Sequence, residues 1–263
     1  MQLDIGILGT NVLADSVAVI VDVSDRVNLV QTSTGRDALV DQFQTGRLTL
    51  RIVDQNGDFN PTNPAGPYYG LLTPMKKVQI TANYNNVTYP IFSGFITSYV
   101  NTQPKDATEV AYTTIQAVDA MRLAQNAQIS TVTGAAAGDL SGTRINQILD
   151  QIDWPATMRQ IDAGQTTLQA DPGTARTSLG AMQTVADSEY GAIYVDFDGS
   201  FVFKDRLTAT TSIGATPTVF ADDGTGILYA NAAWKLDDTL IFNSAQISRL
   251  GGTAQSASNQ ASI

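Results

Sequence analysis

Hydrophobic and polar residues alternate along much of the first 116 residues, which is the pattern of half-buried β-strands. The clearest case is RLTLRIVD (47–54), in which Leu48, Leu50 and Ile52 alternate with polar residues. In YNNVTY, the pair Asn85-Asn86 can take positive φ, which predicts a hairpin turn. Five or six short strands separated by turn residues predict an antiparallel barrel-like domain over residues 1–116.

The hydrophobic period changes to that of helices near residue 117. Ser141 or Thr143 is the expected N-cap of a helix that ends before Pro155, and Gly191 is the expected C-cap of the next one. Region 117–190 is therefore predicted to be rich in helix. The three predicted helical segments are 117–129, 141–155 and 171–191.

Strands return after residue 190. AIYVDFDGSFVFKDR (192–206) reads as a hairpin whose turn is Asp198-Gly199-Ser200. Further strands are expected in ILYANAAWKLDD and LIFNSAQISRL. Region 191–263 is therefore expected to be β-rich and to belong to a second barrel-like domain, which the end of the chain would leave incomplete. The predicted fold class is α+β and dominated by β-structure, without regular βαβ alternation.

Composition removes several classes of function. The 263 residues include no cysteine and no histidine, which excludes disulfides, zinc–thiolate sites, cysteine nucleophiles and Ser-His-Asp triads. The formal net charge of −10 opposes nonspecific binding to nucleic acid and to anionic membranes. No signal peptide or long apolar stretch is present, so no membrane anchor is expected. Catalysis by carboxylates stays open.

Charged residues are scarce. They make up 15% of the chain, against roughly 25% in an average globular protein. A surface rich in neutral polar groups is easily desolvated, and the cores of protein interfaces are depleted of charge. The composition therefore fits a protein that other subunits partly cover, and it fits equally well a compositional bias of the source lineage.

The stretch DQNGDFNPTNPAGPYYG, which begins at Asp54, resembles the start of a calcium loop. Asp54, Asn56 and Asp58 supply oxygen at alternate positions. An EF-hand loop also requires Gly at position 6 and Glu at position 12. Phe59 and Ala65 occupy these two positions. No metal or other cofactor is therefore predicted, and the oxygen-bearing side chains are interpreted as turn formers.

The same stretch reads better as a shaped contact element. Asn56-Gly57 favours a tight turn, and the prolines that follow are expected to stiffen an extended segment. The aromatic residues can anchor this segment to the barrel or to a neighbouring subunit. The candidate subunit-contact residues are Phe59, Pro61, Pro64, Pro67, Tyr68 and Tyr69.

A second group of acidic residues surrounds the predicted hairpin near residue 198. Asp196, Asp198 and Asp205 could be imagined as a metal site or as a glycosidase carboxylate pair. Hairpin turns carry such residues for conformational reasons alone. No catalytic residue is therefore predicted, and the protein is not expected to be an enzyme.

Residues 41–96 carry a resemblance to a known family. DQFQTGRLTLRIVDQNGDFNPTNPAGPYYGLLTPMKKVQITANYNNVTYPIFSGFI resembles the N-terminal domain of tail-tip minor tail proteins of long-tailed phages, particularly phages of actinobacteria, and these are similar to baseplate hub proteins. Later segments agree in order, while TPMKK stands where a Pro-Gly turn is more usual. The matching residues are Phe43, Gly46, Asp58, Phe59, Pro61, Asn63, Pro67, Tyr68 and Gly70.

The resemblance implies a structural role without catalytic residues. Such proteins contain barrel domains related to the tail-tube fold and form a ring at the distal end of the tube. It implies a virion protein, made in the host cytoplasm, that adapts or caps the tube, lines the DNA channel and anchors other tip proteins. The implied oligomer is a trimer of this chain, with a hexamer as the alternative. The other implied partners are a tail-tube or distal tail protein, the tape measure protein and other tip proteins. DNA would pass through the channel without binding.

Two other functions remain open from the residues. A carbohydrate-binding module for host recognition would present aromatic residues such as Trp154, Trp234, Tyr68 and Tyr69 to solvent. A wall-degrading enzyme would need a cleft with a carboxylate pair roughly 5–10 Å apart. No spacing in the sequence points to such a pair.

Overall fold

A computed structural model describes residues 20–36, 41–103, 110–208, 219–233, 243–248 and 252–259. The chain divides into two compact units, Met1–Ile213 and Gly214–Ile263, which are described separately. The fold is α+β and dominated by β-structure, as the sequence predicts.

The N-terminal part of the first unit is a five-stranded antiparallel sheet curled into a half-barrel. Its strands are β1 (Val27–Gly35), β2 (Gln44–Val53), β3 (Lys77–Tyr84), β4 (Val87–Thr102) and β5 (Tyr112–Val118). Their spatial order is β1-β2-β5-β4-β3, so β1 and β3 form the two edges. Residues 47–99, all of them described, contain no helix.

The predicted alternation on β2 is confirmed. Leu48, Leu50 and Ile52 are buried, whereas the residues between them are partly or fully exposed. Burying such side chains contributes about 1.5–3 kcal/mol each. The core on this side of the sheet consists of Leu48, Leu50, Ile52, Phe59, Phe92, Ile96, Ile115 and Ala117.

Two turns of this sheet depend on positive φ. Asn85 and Asn86 have φ of 50° and 61°, which confirms the predicted hairpin turn between β3 and β4. Met75, in the TPMKK segment, has a φ of 70°. A glycine adopts this conformation at lower cost than a methionine does. The unusual residue therefore occupies a glycine-like backbone position.

The second part of the first unit is helical and mixed. Its helices are α1 (Met121–Asn126), α2 (Ser141–Gln151) and α3 (Ser178–Glu189). The first is shorter than predicted, because Ala117 and Val118 still belong to β5. Residues 128–129 leave the helix to pair as β6 (Gln128–Ile129) with β8 (Arg176–Thr177).

The hairpin predicted over 192–206 is confirmed. Strands β9 (Ala192–Val195) and β10 (Phe201–Lys204) pair antiparallel, and Gly199 in the turn has a φ of +93°. Strand β7 (Arg159–Ile161) adds to the other side of β10 in parallel. The helices and this sheet share a core of Ala120, Met121, Ala124, Ile129, Val132, Ile145, Ile148, Leu149, Leu179, Ala181, Met182, Val185, Ala186, Ile193, Phe201 and Phe203.

The predicted cap of α2 is wrong. Leu140 is the N-cap residue, and Ser141 and Thr143 both lie inside the helix. The Ser141 hydroxyl donates a hydrogen bond to Glu189 instead of capping the helix. A long-range partner therefore overrides the local capping preference.

The predicted C-cap of α3 is off by one residue. Tyr190, with φ of 55° and ψ of 31°, takes the left-handed position that was expected for Gly191. Gly191 is needed for another reason, since a Cβ there would lie 2.5 Å from the carbonyl oxygen of Lys204. Close approach to β10, rather than positive φ, explains this glycine.

Glu189 is a buried anion that fastens the end of α3 to α2 and to the loop between β7 and β8. Its carboxylate is fully buried and accepts hydrogen bonds from the Ser141 hydroxyl at 2.8 Å and the Thr166 N–H at 2.7 Å. The Gln165 N–H adds a bond at 3.1 Å, and Arg206 Nε lies 3.8 Å away. Burial alone would raise the pKa of Glu189, but the hydrogen bonds outweigh it and lower the pKa.

The second unit, Gly214–Ile263, contains a short two-stranded antiparallel sheet of β11 (Ser244–Ile247) and β12 (Gln255–Ser258). Phe220 and Ile227 form an isolated bridge, while residues 228–233 form no strand, contrary to the prediction for that stretch. The division into domains at residues 117 and 191, and the second barrel-like domain, stay predictions.

Asp119 joins the sheet to the helical part. Its Oδ2 accepts the Gly46 N–H at 2.6 Å, and its Oδ1 accepts the Met121 N–H at 2.9 Å. The Asp119 N–H donates to the Gly46 carbonyl at 3.0 Å. Burial raises the pKa of this carboxyl to about 6, against the opposing effect of the two backbone bonds. Asp119 therefore holds the start of β2 against the start of α1.

We predict that Asp119 makes stability fall as the pH rises through its titration. A carboxyl whose pKa is higher in the folded state than in the unfolded state binds protons preferentially when folded. The free energy of unfolding of the wild type, measured relative to Asp119→Asn, should therefore decrease by about 1–3 kcal/mol between about pH 4 and pH 7. Urea titrations at several pH values measure this difference, in which other carboxyl groups cancel. A difference independent of pH would contradict the prediction.

Candidate subunit-contact site

The segment from Asp54 to Gly70 is a series of consecutive β-turns. Five backbone N–H groups, at residues 57, 60, 63, 66 and 69, each donate to the carbonyl three residues earlier, with donor–acceptor distances of 3.0–3.2 Å. The expectation of an extended segment is therefore wrong. The segment is instead a compact chain of turns that satisfies much of its own backbone.

The proline spacing explains this series. Pro61, Pro64 and Pro67 recur every three residues, and each one is the second residue of a successive turn. Proline is favoured there because its fixed φ matches the turn and its missing N–H is not needed. Asn60 and Asn63 each begin a turn, and their side-chain oxygens accept the N–H groups two residues further along.

Two aromatic residues fasten the turn series to the sheet. Phe59 is 5% exposed and belongs to the sheet core, and the Tyr68 ring packs on it with 5.1 Å between ring centroids. Asp54 Oδ2 accepts the Phe59 N–H at 3.1 Å and the Thr113 hydroxyl at 2.7 Å. The start of the series is thus bonded to β5 through Thr113, and its far end packs on Phe59 through Tyr68.

The remaining candidate residues are presented outward. Pro64 and Pro67 are exposed, Pro61 is partly buried, and Tyr69 is 56% exposed. Leu71 extends this apolar surface just beyond the turns. Of the six candidates, Phe59 and Tyr68 serve the fold, while Tyr69 and the two exposed prolines are available to a neighbouring molecule.

The side-chain oxygens of the calcium-like stretch form other interactions. Asp58 Oδ2 forms an ion pair with Arg26 at 2.7 Å, and Asp54 Oδ2 is occupied as described. Asp54 Oδ1 is buried without a hydrogen-bond partner, but Ca²⁺ prefers about six to eight oxygen ligands. Within the described ranges, no three acidic side chains are grouped so that they could hold a metal ion.

The acidic residues near the second hairpin also serve local structure. Asp196 Oδ1 accepts the Phe197 N–H, and Asp198 Oδ1 accepts the Ser200 N–H, both at 2.8 Å. Asp205 lies at the other end of β10 from this turn. The structure therefore does not bring the three carboxylates together.

The aromatic residues considered for sugar binding do not form an exposed platform in the part of the chain that the structure describes. Trp154 is partly buried, donates its Nε1–H to the Met158 carbonyl at 3.0 Å and packs edge-on against Phe201. Tyr68 packs on the sheet core, which leaves Tyr69 as the exposed member of the set. Trp234 lies outside the described residues.

Solved structures with a similar backbone include three tail proteins. A tail protein from Neisseria meningitidis MC58 matches with a TM-score of 0.50 and 11% identity over 88% of this chain and 66% of its own. The prophage MuSo2 43 kDa tail protein from Shewanella oneidensis has a TM-score of 0.47 and 14% identity over 89% and 68%. The prophage tail protein gp18 from Listeria monocytogenes EGD-e has a TM-score of 0.44 and 11% identity over 90% and 61%.

The likeness to the Neisseria protein bears on the fold. At 11% identity, the Neisseria protein shares the backbone arrangement with this chain, which spans about two thirds of its length. No protein-family model matches the chain, and no curated protein matches it. Among the described residues, no helix combines the length and apolar character needed to cross a membrane.

We predict unequal effects on stability for the buried and the exposed aromatic residue of the turn series. Phe59→Ala should lower the free energy of unfolding by about 3–5 kcal/mol, because it empties a space in the sheet core. Tyr69→Ala should change it by no more than about 0.5 kcal/mol, because the side chain is mostly in solvent. Urea titration of both variants measures the effect. A large loss in Tyr69→Ala would show that this ring packs within its own chain.

We also predict that chelating agents leave the melting temperature unchanged. Asp54 Oδ2 and Asp58 Oδ2 are engaged by N–H, hydroxyl and guanidinium groups, which leaves too few ligands for calcium. Thermal unfolding with and without EGTA tests this. A decrease of several degrees that calcium reverses would establish a metal site here.

Proposed function

We propose that this chain is a structural subunit of a phage tail, at the tail tip, where it forms a hub or distal ring. The observation that carries the proposal is the backbone likeness to the Neisseria tail protein over 88% of the chain. The resemblance of residues 41–96 to tail-tip minor tail proteins supports the same conclusion from the sequence.

The work of such a subunit is mechanical. It adapts or caps the tail tube, lines the DNA channel and anchors other tip proteins. Several acidic side chains in the described residues hold turns, join the sheet to a helix or form ion pairs, which suits a scaffold. The partners in this proposal are a tail-tube or distal tail protein, the tape measure protein and other tip proteins.

The turn series supplies the contact between copies. Its proline-rich backbone is ordered before binding, so little conformational entropy is lost when it docks. The exposed Tyr69 provides an aromatic anchor of the kind enriched in interface hot spots. Pro64 and Pro67 extend this surface without presenting backbone donors.

Closed symmetry follows from the role. A tip subunit has to match a tube of finite perimeter, which requires a ring that closes. Three copies are proposed from the hub resemblance, because two barrel-like domains in each chain would present six to a six-fold tube. Six copies are the alternative if each chain supplies one barrel-like domain.

The net charge of −10 gives the ring a second property. Acidic groups facing the channel would repel DNA phosphates, so that the genome passes without binding. This corollary depends on the ring and fails with it.

We predict that the purified tip contains this chain as a closed ring around the tail axis. Mass measurement and an averaged map of the tip give the copy number and the position of the chain. Tyr69→Ser should weaken association of the purified chain at least about tenfold, the effect of losing a modest hot spot.

Tyr190→Ser is the matched control, because Tyr190 is 71% exposed and directly follows α3, outside the turn series. The control should associate like the wild type. A monomeric chain located off the tail axis would overturn both the ring and the channel corollary. A patch of Tyr69 that binds cell-wall glycan in a monomer would favour the carbohydrate-binding alternative.

A further inference from the structure

The hairpin between β3 and β4 extends beyond the core as an arm, defined here as residues 81–90. All ten residues are exposed, in contrast to the partly or fully buried stretch that follows on β4. The arm sequence TANYNNVTYP contains no charged residue. Nothing in its composition therefore opposes burial against another protein.

One side of the arm is apolar. The strand register pairs Ala82 with Tyr89 and Tyr84 with Val87, so these four side chains point to the same side. Tyr84 is 69% exposed and Tyr89 is 47% exposed. The opposite side carries the pairs Thr81–Pro90 and Asn83–Thr88.

This apolar side continues the core-facing side of the sheet. Val78 and Ile80 of β3 pack against the core, and Ala82 and Tyr84 follow at the same two-residue spacing. On β4, the register shifts between the partners of Ile80 and Thr81 and leaves residue 91 as a bulge.

The bulge keeps the apolar side chains of both arm strands on the core-facing side of the sheet. Phe92 faces the core, and Tyr89 is three residues before it. In a regular strand this odd spacing would turn Tyr89 to the opposite side. The extra residue compensates, so the core-facing side of both strands continues into the arm, where no described residue of the first unit covers it.

At the other end of the same hairpin lies an apolar cavity of about 240 Å³. Lys77 pairs with Phe95 there, at the start of β3. The lining includes the polar residues Lys77, Ser93 and Asp153. The apolar lining consists mainly of Phe95, Leu123, Ile152, Trp154, Pro155 and Met158.

We propose that the arm of one copy inserts Tyr84 into this cavity of a second copy. An apolar cavity of about 150 Å³ is sufficient to hold benzene, so this cavity accommodates a phenol ring. A buried tyrosine needs a partner for its hydroxyl, and the polar lining residues Lys77, Ser93 and Asp153 offer charged and hydroxyl groups. The proposal rests on the ring-forming function and names the contact that links neighbouring subunits.

The arm reaches the cavity of a second copy and not that of its own chain, because the two lie far apart along β4. Val87 and Phe95 are separated by eight residues along β4, which is about 26 Å of extended strand. Donor and acceptor surfaces at opposite ends of one element make a head-to-tail contact. Such contacts generate rings when the rotation closes.

Engineered disulfides test the contact directly, because the chain contains no cysteine of its own. The double variant Val87→Cys with Met158→Cys should form covalent oligomers on mild oxidation, up to the copy number of the ring. The control Val87→Cys with Thr184→Cys, which places the second thiol on the exposed side of α3, should form none above background. Equal cross-linking in Val87→Cys alone would indicate that arms pack on each other, and would overturn the proposal.

Paired substitutions on the two sides of the arm test whether formation of the ring depends on the arm contact. Tyr84→Ser with Tyr89→Ser should reduce association at least tenfold by analytical ultracentrifugation and leave the melting temperature unchanged. Asn83→Ala with Thr88→Ala, on the polar side, should associate like the wild type. A wild-type ring that the tyrosine variant still forms would overturn the arm contact and leave the proposed function standing. A wild-type chain that stays monomeric at every concentration would overturn the ring as well.

Discussion

The half-barrel depends on one constraint: the apolar side of a β-sheet has to be covered along its whole length. Side chains alternate strictly along a strand, so β2 and its neighbours direct one continuous apolar surface to the same side. Side chains such as Leu50 form the middle of that surface and pack in the sheet core. Phe59 and Tyr68 of the turn series cover part of it. The arm, which carries Tyr84, extends the surface beyond what the described residues of its own chain cover.

The same constraint explains why the turn series has two kinds of residue. Its backbone is satisfied internally by bonds that recur every three residues, so it needs few contacts with the sheet for that purpose. Phe59 is then sufficient to fasten it, and Tyr69 is left in solvent. A segment that is rigid without a partner can present a contact surface at low entropic cost, which is the property an assembly subunit needs.

Much of this was predictable from the sequence where local rules decide. Alternation located the strand at Leu50, and Asn85-Asn86 located the hairpin, because each signal reflects the backbone of adjacent residues. Residues with distant partners were not predictable, since Ser141 gives up capping for a bond to Glu189, 48 residues away. The turn series was predictable only in part. The three-residue proline spacing is visible in the sequence, but the interpretation as extended structure overlooked that each proline suits the second position of a new turn.

Charge is scarce in this chain, and where it is buried it serves as a fastening. Glu189 holds α2 and a loop through three hydrogen-bond donors, and Asp119 joins two elements through backbone N–H groups, so neither carboxylate is free for chemistry. The surfaces left for recognition are then aromatic and neutral: Tyr69 with the exposed prolines, and the arm around Tyr84. Neutral aromatic surfaces are cheaper to desolvate than charged ones, and they gain from packing against a complementary subunit. The distribution of charge thus separates what holds one copy together from what is available to join it to the next.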